Sequence, residues 1–156
     1  MPVYLIEGPA AGGPGEIHGA ALNQVGLERR GSDGCTYKYL QGVAATTAGS
    51  WVAYDELGVT AGLDTDVATT IVSAIAVATA ATGANTWGWY GIDGVFAARS
   101  AAVADNAKVF ATATVFVCDD VSVAGSQIVP AVWRSVDAGG LATVEIHRPF
   151  CGINVA

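Results

Sequence analysis

The sequence predicts a small all-β protein, built as a β-barrel or a β-sandwich with an extended N-terminal arm. Short segments rich in β-branched and aromatic residues follow one another, and clusters of Gly, Asn, Asp and Ser separate most of them at intervals of about eight to fifteen residues. No segment shows the features of an amphipathic helix, namely a capping residue and a charged outer face. Residues 67–81 are nevertheless compatible with a helix as an alternative. A chain of 156 residues is long enough for one domain with a real core.

The first 24 residues are predicted to form the arm. Residues 8–20, GPAAGGPGEIHGA, are rich in Gly and Pro and offer little to bury, so this segment cannot fold alone. An apolar tip precedes it, and we expect this tip to dock as an added strand on a neighbouring subunit; its residues are Val3, Tyr4, Leu5 and Ile6. The alternative is a frayed terminus with an apolar end.

Residues 25–156 are predicted to form a single β domain. Its predicted strand segments are, in order, CTYKYLQ, SWVAYDE, ATTIVSAIAVA, TWGWYGI, VFAAR, AKVFATA, VFVC, QIVPAVWRS and ATVEIHR. In the last of these Val144 and Ile146 would face one side of the sheet, and Thr143, Glu145 and His147 would face the other.

The uncharged run VATTIVSAIAVATAA, residues 67–81, resembles a membrane span only superficially. It is short, Thr and Ser interrupt it, and no Lys or Arg flanks it. We expect a buried strand pair or a strand followed by a loop, and no membrane as a partner.

The stretch NTWGWYGIDGVF, residues 85–96, concentrates aromatic residues between glycines. On a strand, Trp87 and Trp89 share one face and Tyr90 takes the other. The glycines leave room for large rings to lie across neighbouring strands, which favours packing in the core or at a seam between subunits. The alternative is that Trp87 and Trp89 form an exposed surface on which a sugar stacks.

Charge is scarce and negative overall. Charged residues make up 13% of the chain and the net charge is −7, so we expect a bland exterior that is covered by neighbouring subunits. Only Arg29 and Arg30 are adjacent cations, and without a basic stripe nucleic-acid binding is not expected. Together with Arg148 they are the best candidates for charged contacts to an acidic partner.

The sequence offers no catalytic, cofactor or metal site. Neither His18 nor His147 lies in a known catalytic motif. The acidic pairs Asp64 with Asp66 and Asp119 with Asp120 lack calcium-loop spacing and occupy turn positions.

The sequence contains three widely separated cysteines, and its first residues lack the features of a secretory signal. The cysteines, Cys35, Cys118 and Cys151, lack zinc-site spacing and are expected to be buried, reduced thiols. We therefore expect the protein to assemble in a cytoplasm and not to be exported.

Seven segments follow one another in a characteristic order: LERRGSDGCTYKYL, GVAATTAGSWVAYDE, GWYGIDG, ADNAKVFAT, VAGS, AVWRS and TVEI. This order resembles that of capsid decoration or cement proteins of tailed bacteriophages. The resemblance covers residues 25–148 and departs from the pattern at residues 8–20 and 149–156, where lineage-specific contacts are expected.

This resemblance implies a non-enzymatic virion protein that assembles in the host cytoplasm. Such proteins bind the outer face of the capsid, often as homotrimers at local threefold positions, and clamp neighbouring subunits of the major capsid protein. The expected contact residues are those of the arm tip, the two adjacent arginines and the aromatic stretch. The alternatives are a glycan-binding protein or another small head or tail component of the virion.

Overall fold

The computed structural model describes residues 3–5, 10–70 and 72–151. Within these residues the chain forms short and long β-strands and one helical turn, α1 (Thr65–Thr70), so the all-β prediction is confirmed. The strands are β1 (Ile17–His18), β2 (Glu28–Arg30), β3 (Thr36–Gln41), β4 (Trp51–Tyr54), β5 (Thr60–Gly62), β6 (Ser73–Ala78), β7 (Trp87–Arg99), β8 (Lys108–Ala111), β9 (Cys118–Asp119), β10 (Gln127–Trp133) and β11 (Leu141–Cys151).

All described strands belong to one antiparallel sheet that is not closed. The strand order is β2-β3-β7-β6-β11-β10-β8-β9, with β1 beside β7 and β5 beside β4, which itself pairs with β6. Strand β7 also pairs directly with β11, because its first half lies against β3 and its second half against β11. The sheet is therefore branched, and among the described strands β1, β2, β5 and β9 each pair with a single other strand.

The sequence predicted two strands, TWGWYGI and VFAAR, with a break at GIDG, residues 91–94; this break is wrong, because β7 continues through it. Asp93 pairs with both Thr36 and His147, and Gly94 pairs with Ile146. Gly94 adopts a φ of 123°, and a Cβ placed there would lie 2.6 Å from Cys35 Sγ. The glycine thus allows a close approach and an irregular backbone inside one long strand, where the sequence suggested two.

The two faces of β7 pack into two separate apolar clusters, as its alternation predicts. Trp89 belongs to the main cluster, whereas Tyr90 and Ile92 belong to a second cluster on the other face. In β11 the side chains of Val144 and Ile146 are fully buried, which confirms the predicted alternation there.

A pair of indole rings lies in the main cluster. The rings of Trp51 and Trp133 meet edge to face, with centroids 5.9 Å apart and an interplanar angle of 81°. Each buried ring donates its Nε1 hydrogen, Trp51 to the carbonyl of Arg99 at 3.1 Å and Trp133 to the carbonyl of Asp119 at 3.2 Å. Both rings are therefore buried without an unsatisfied polar group.

The uncharged run divides into a helix and a strand. The strand prediction is confirmed for β6, but the residues before it form α1, the alternative that the sequence left open. The reason is local, since Asp64 Oδ1 accepts a hydrogen bond from the Val67 amide at 2.9 Å and caps the first turn.

The three cysteines are buried and form no disulfide within the described residues, which confirms their predicted burial. Burial is the largest cause that raises the pKa of each thiol. These groups are therefore held in the protonated form at neutral pH.

Candidate interaction surface

The arm residues that the structure describes contact their own chain. Leu5 pairs with Gly31 at the edge next to β2. The Tyr4 amide donates to Ser32 Oγ at 3.0 Å, and the Ser32 amide donates to the Tyr4 carbonyl at 2.6 Å. Val3 and Leu5 pack against the main cluster, and the Tyr4 side chain is 60% exposed. Ile6 lies outside the described residues. Docking of the arm on a neighbouring subunit stays a prediction.

Further along, the arm is fastened to the sheet by polar contacts. Asn23 clamps Ala11 with two hydrogen bonds, and the Ala11 carbonyl also accepts from Trp89 Nε1 at 3.4 Å. His18 Nδ1 lies 2.7 Å from the Tyr39 hydroxyl, and β1 pairs with the start of β7. Residues 10–24 thus cover one side of the aromatic stretch.

The aromatic stretch lies mostly inside the chain. Trp89 and Tyr90 are each 1% exposed, and Trp87 is partly buried against the main cluster. Two of these three predicted contact residues are consequently unavailable to a partner in this fold. Adjacent exposed Trp rings, which sugar stacking requires, are absent from this stretch.

Arginines that are far apart in the sequence meet around one polar pocket. Arg29 and Arg30 in β2 and Arg148 in β11 line a cavity of about 400 Å³. The other lining residues are Glu28, Gly34, Thr36 and Asp93. The sequence analysis named these three arginines as candidate contacts to an acidic partner, and the fold brings them together around one pocket.

Register explains why the side chains converge. Arg30 is opposite Thr36, Thr36 is opposite Asp93, and Asp93 is opposite His147. Residues directly opposite one another in neighbouring strands project from the same face of a sheet. A row of four polar side chains therefore crosses β2, β3, β7 and β11.

Glu28 is the shared acceptor of the pocket. Arg148 Nη1 lies 2.9 and 2.8 Å from its two carboxylate oxygens, and Lys38 Nζ lies 3.3 Å from Oε1. The Lys38 ammonium is also 5.1 Å from the centre of the Tyr54 ring. Two cations thus share one carboxylate, and no other ion pair involves Glu28 within the described residues.

Arg148 reaches Glu28 because β11 is irregular at this point. Its φ is 49°, a left-handed value that is uncommon for residues other than glycine, and the pairing with β10 changes register between Ile146 and Phe150. This irregularity redirects the side chain, so the arginine contacts β2 although β3 and β7 lie between the two strands.

Arg29 protects the open edge of β2. Backbone bonds to β3 involve Leu27 and Gly31, so the carbonyl of Glu28 between them turns outward, where Arg29 Nη1 donates to it at 2.7 Å. The Nε of Arg29 is buried and has no hydrogen-bond partner among the described residues.

His147 continues the charged row toward β10. Its Nε2 lies 2.9 Å from Glu145 Oε1 and its Nδ1 lies 3.4 Å from Asp93 Oδ1. The hydrogen bond to Glu145 is the main cause that raises the pKa of His147. Arg134 donates to Glu145 at 2.7 Å and is the main cause that lowers the pKa of that carboxyl group.

A larger groove of about 830 Å³ adjoins the pocket and shares Glu28 with it. Tyr54, Lys38 and Val72 are among its lining residues, and Val72 is 69% exposed. Phe150, another exposed apolar residue, pairs with the lining residue Ala74. The sequence did not single out Glu28, Lys38 or Tyr54, because only the pairing of β2, β3 and β4 with their neighbours places them beside the arginines.

The remaining acidic residues have structural partners. Asp119 Oδ1 accepts from the Val121 amide at 3.0 Å and Asp120 Oδ2 from the Ala104 amide at 2.9 Å, as expected for turn positions. Across the described ranges, no three His, Cys, Asp or Glu side chains are grouped so that they could hold a metal ion. Likewise, none of the helical residues described here forms a helix of the length and hydropathy needed to span a membrane.

No protein-family model, no curated protein and no solved structure matches the chain.

Proposed function

We propose that the chain is a capsid decoration or cement protein of a tailed-phage virion. It binds the outer capsid surface, as a homotrimer, and stabilises contacts between major capsid subunits. The order of the segments over residues 25–148 supports this proposal, and an all-β domain is compatible with it.

The observation that carries the proposal is an exterior with little charge and many exposed apolar side chains. Charged residues make up 13% of the chain, about half of the usual fraction. Such an exterior is poorly protected against association and is suited to being covered. The exposed large apolar residues are Tyr4, Leu22, Leu57, Val59, Val72, Val95, Val115, Val121, Val123, Val136, Leu141 and Phe150.

Part of this apolar surface lies beside the charged pocket. Val72 lines the groove that shares Glu28 with the pocket, and Leu57 is held in a turn between two groove residues, Glu56 and Gly58. Apolar contact area next to charged groups is typical of protein interfaces, where the charges orient the partner.

The glycan-binding alternative has no comparable support. It requires Trp87 and Trp89 together on an exposed strand face, and the Trp89 ring is buried under the arm. We therefore do not propose it as a second function.

Mass spectrometry of purified virions from the genome that encodes the chain tests the proposed function. We expect the chain in many copies, at a fixed ratio to the major capsid protein. Virions from which its gene has been deleted should lack the chain and lose DNA at a lower temperature.

Two results would contradict the proposal. The chain could be absent from washed virions, or it could occur in only a few copies, as expected for a tail component. If virions with and without the chain are equally stable to heat, the chain attaches to the capsid without stabilising it, and the cement role is contradicted.

A further inference from the structure

Most of the positive charge of this acidic chain is collected at one edge of the sheet. We define the cationic patch as Glu28, Arg29, Arg30, Lys38, Asp93 and Arg148. It holds four of the seven Lys and Arg residues of the chain but only two of its 14 Asp and Glu residues. The rest of the chain thus combines three cations with twelve carboxylates.

Arg30 is the exposed cation of the patch that no internal partner neutralises. Its side chain projects from edge strand β2, and within the described ranges no carboxylate lies within 4.0 Å of it, whereas Arg148 and Lys38 share Glu28. The patch therefore presents a positive group to any surface that approaches this edge.

The end of the strand order at β9 carries an acidic corner, defined as Asp105, Asp119 and Asp120. Asp119 ends edge strand β9, Asp120 follows it, and the bond from Ala104 to Asp120 holds Asp105 nearby. Burial raises the pKa of Asp119, and the adjacent Asp120 carboxylate contributes to that rise. A cation at this corner would favour the ionised forms of both carboxylates.

Within one chain the patch and the corner are held apart. From β2 the pairing runs through β3 to β7, and Ser100, directly after β7, pairs with Cys118 in β9. Asp93 in the patch and Ser100 beside β9 are seven residues apart, about 23 Å along an extended chain. Complementary surfaces at two different places on one molecule fit a head-to-tail contact between copies, and such contacts generate rings when the rotation closes.

We propose that the cationic patch of one copy receives the acidic corner of a second copy of this chain in a head-to-tail contact. The inference deepens the self-association that belongs to the proposed function and rests on that part of it. Both surfaces also offer exposed apolar side chains. Val95 lies opposite Glu145 on the same sheet face as Asp93, and Val121 follows Asp120 in the acidic corner. Because single exposed ion pairs contribute little, the charges mainly select the partner surface and its orientation.

Charge reversal in the full chain, measured by sedimentation velocity over a concentration series, tests this contact. Arg30→Glu should weaken self-association about tenfold, because it places like charges opposite one another. The control is Ala84→Glu, which introduces a carboxylate in the exposed turn before the start of β7, away from the patch and from the acidic corner, and should leave the association unchanged.

A second reversal identifies the partner surface. Asp105 is exposed, and its carboxylate has no ion pair within the described residues, so Asp105→Arg should leave the fold intact. Alone it should weaken association as Arg30→Glu does, and combined with Arg30→Glu it should restore association to within about threefold of the wild-type value. Asp66→Arg, on the exposed face of α1, should not restore it.

Salt gives an independent readout on the unaltered chain. Raising the ionic strength from about 0.1 M to about 1 M shortens the screening length from about 10 Å to about 3 Å, so association should weaken.

Several results would overturn the inference. They are a monomer at all concentrations, equal effects of Arg30→Glu and Ala84→Glu, or failure of Asp105→Arg to restore association in the double variant. If Arg30→Glu leaves self-association unchanged but reduces binding to virion shells, the patch serves the capsid instead, and the proposed function stands without this contact.

Discussion

Gly91 shows how a single residue type admits the large rings of the core. A Cβ at this position would collide with the ring of Phe96, which fills the space that the glycine leaves open. Phe96 in turn meets the ring of Tyr37 edge to face at 5.7 Å. The interleaved glycines of the aromatic stretch therefore serve packing, and this role was predicted from the alternation of small and large residues.

Replacing Gly91 with Ala should lower the free energy of unfolding by about 1–3 kcal/mol, because the added methyl group overpacks a close-packed site. Urea denaturation followed by Trp fluorescence measures this change. The matched control is Gly83→Ala, since a Cβ there meets no atom within 4 Å and the φ is not positive. Equal stabilities of the two variants would contradict the packing account.

At the scale of elements, the strongest strands were predictable and the short edge strands were not. Residues 142–147 alternate clearly, and they lie in β11 with the predicted face buried. β2 and β5 have three residues each, too few to show a period, and they exist because longer strands offer them an edge. The surface that carries the cationic patch therefore depends on long-range strand pairing, which the short edge strands do not reveal in the sequence.

The arm shows the same division between local and long-range information. Its Gly- and Pro-rich composition indicated a segment without a core of its own, and the described part is held by contacts from distant residues such as Tyr39 and Ser32. Which subunit the apolar tip contacts depends on partners that composition does not specify.

Replacing Tyr4 with Ser should weaken binding to virion shells and leave the melting temperature of the chain unchanged. The ring is exposed, so its removal costs the fold little, while a partner loses apolar contact area. Cosedimentation with shells and thermal unfolding measure the two quantities.

Leu22→Ser is the control for the arm tip, because Leu22 is as exposed as Tyr4, at 59%, but lies at the other end of the arm, near the start of the β domain. If both variants bind shells as tightly as the wild-type chain, the arm tip takes no part in attachment.

At the scale of the whole molecule, the composition predicted that charged residues are scarce but not where on the surface they lie. The sequence predicted a bland exterior, and the fold adds that the scarce cations gather at one edge while carboxylates dominate elsewhere. Arg29, Arg30 and Arg148 were named from the sequence as contacts to an acidic partner. Their convergence around one pocket follows from the register of four strands and from the irregular backbone at Arg148, which no local pattern reveals.

The aromatic stretch is the counterexample among the predicted contact residues. Trp89 and Tyr90 were candidates for a subunit seam, and both lie inside the chain. The alternation that placed them on opposite faces of β7 was confirmed, but alternation does not tell whether a face is covered by the chain itself or by a partner. Here neighbouring strands, the arm and residues around Phe116 supply the cover.

The central claim is that this chain acts by covering and being covered by other subunits of a virion. Titration of the purified chain onto virions from which its gene has been deleted, followed by sedimentation and quantification of the pellet, tests it most directly. The account predicts saturable binding at a fixed ratio to the major capsid protein. A chain that stays in the supernatant at every concentration would contradict it.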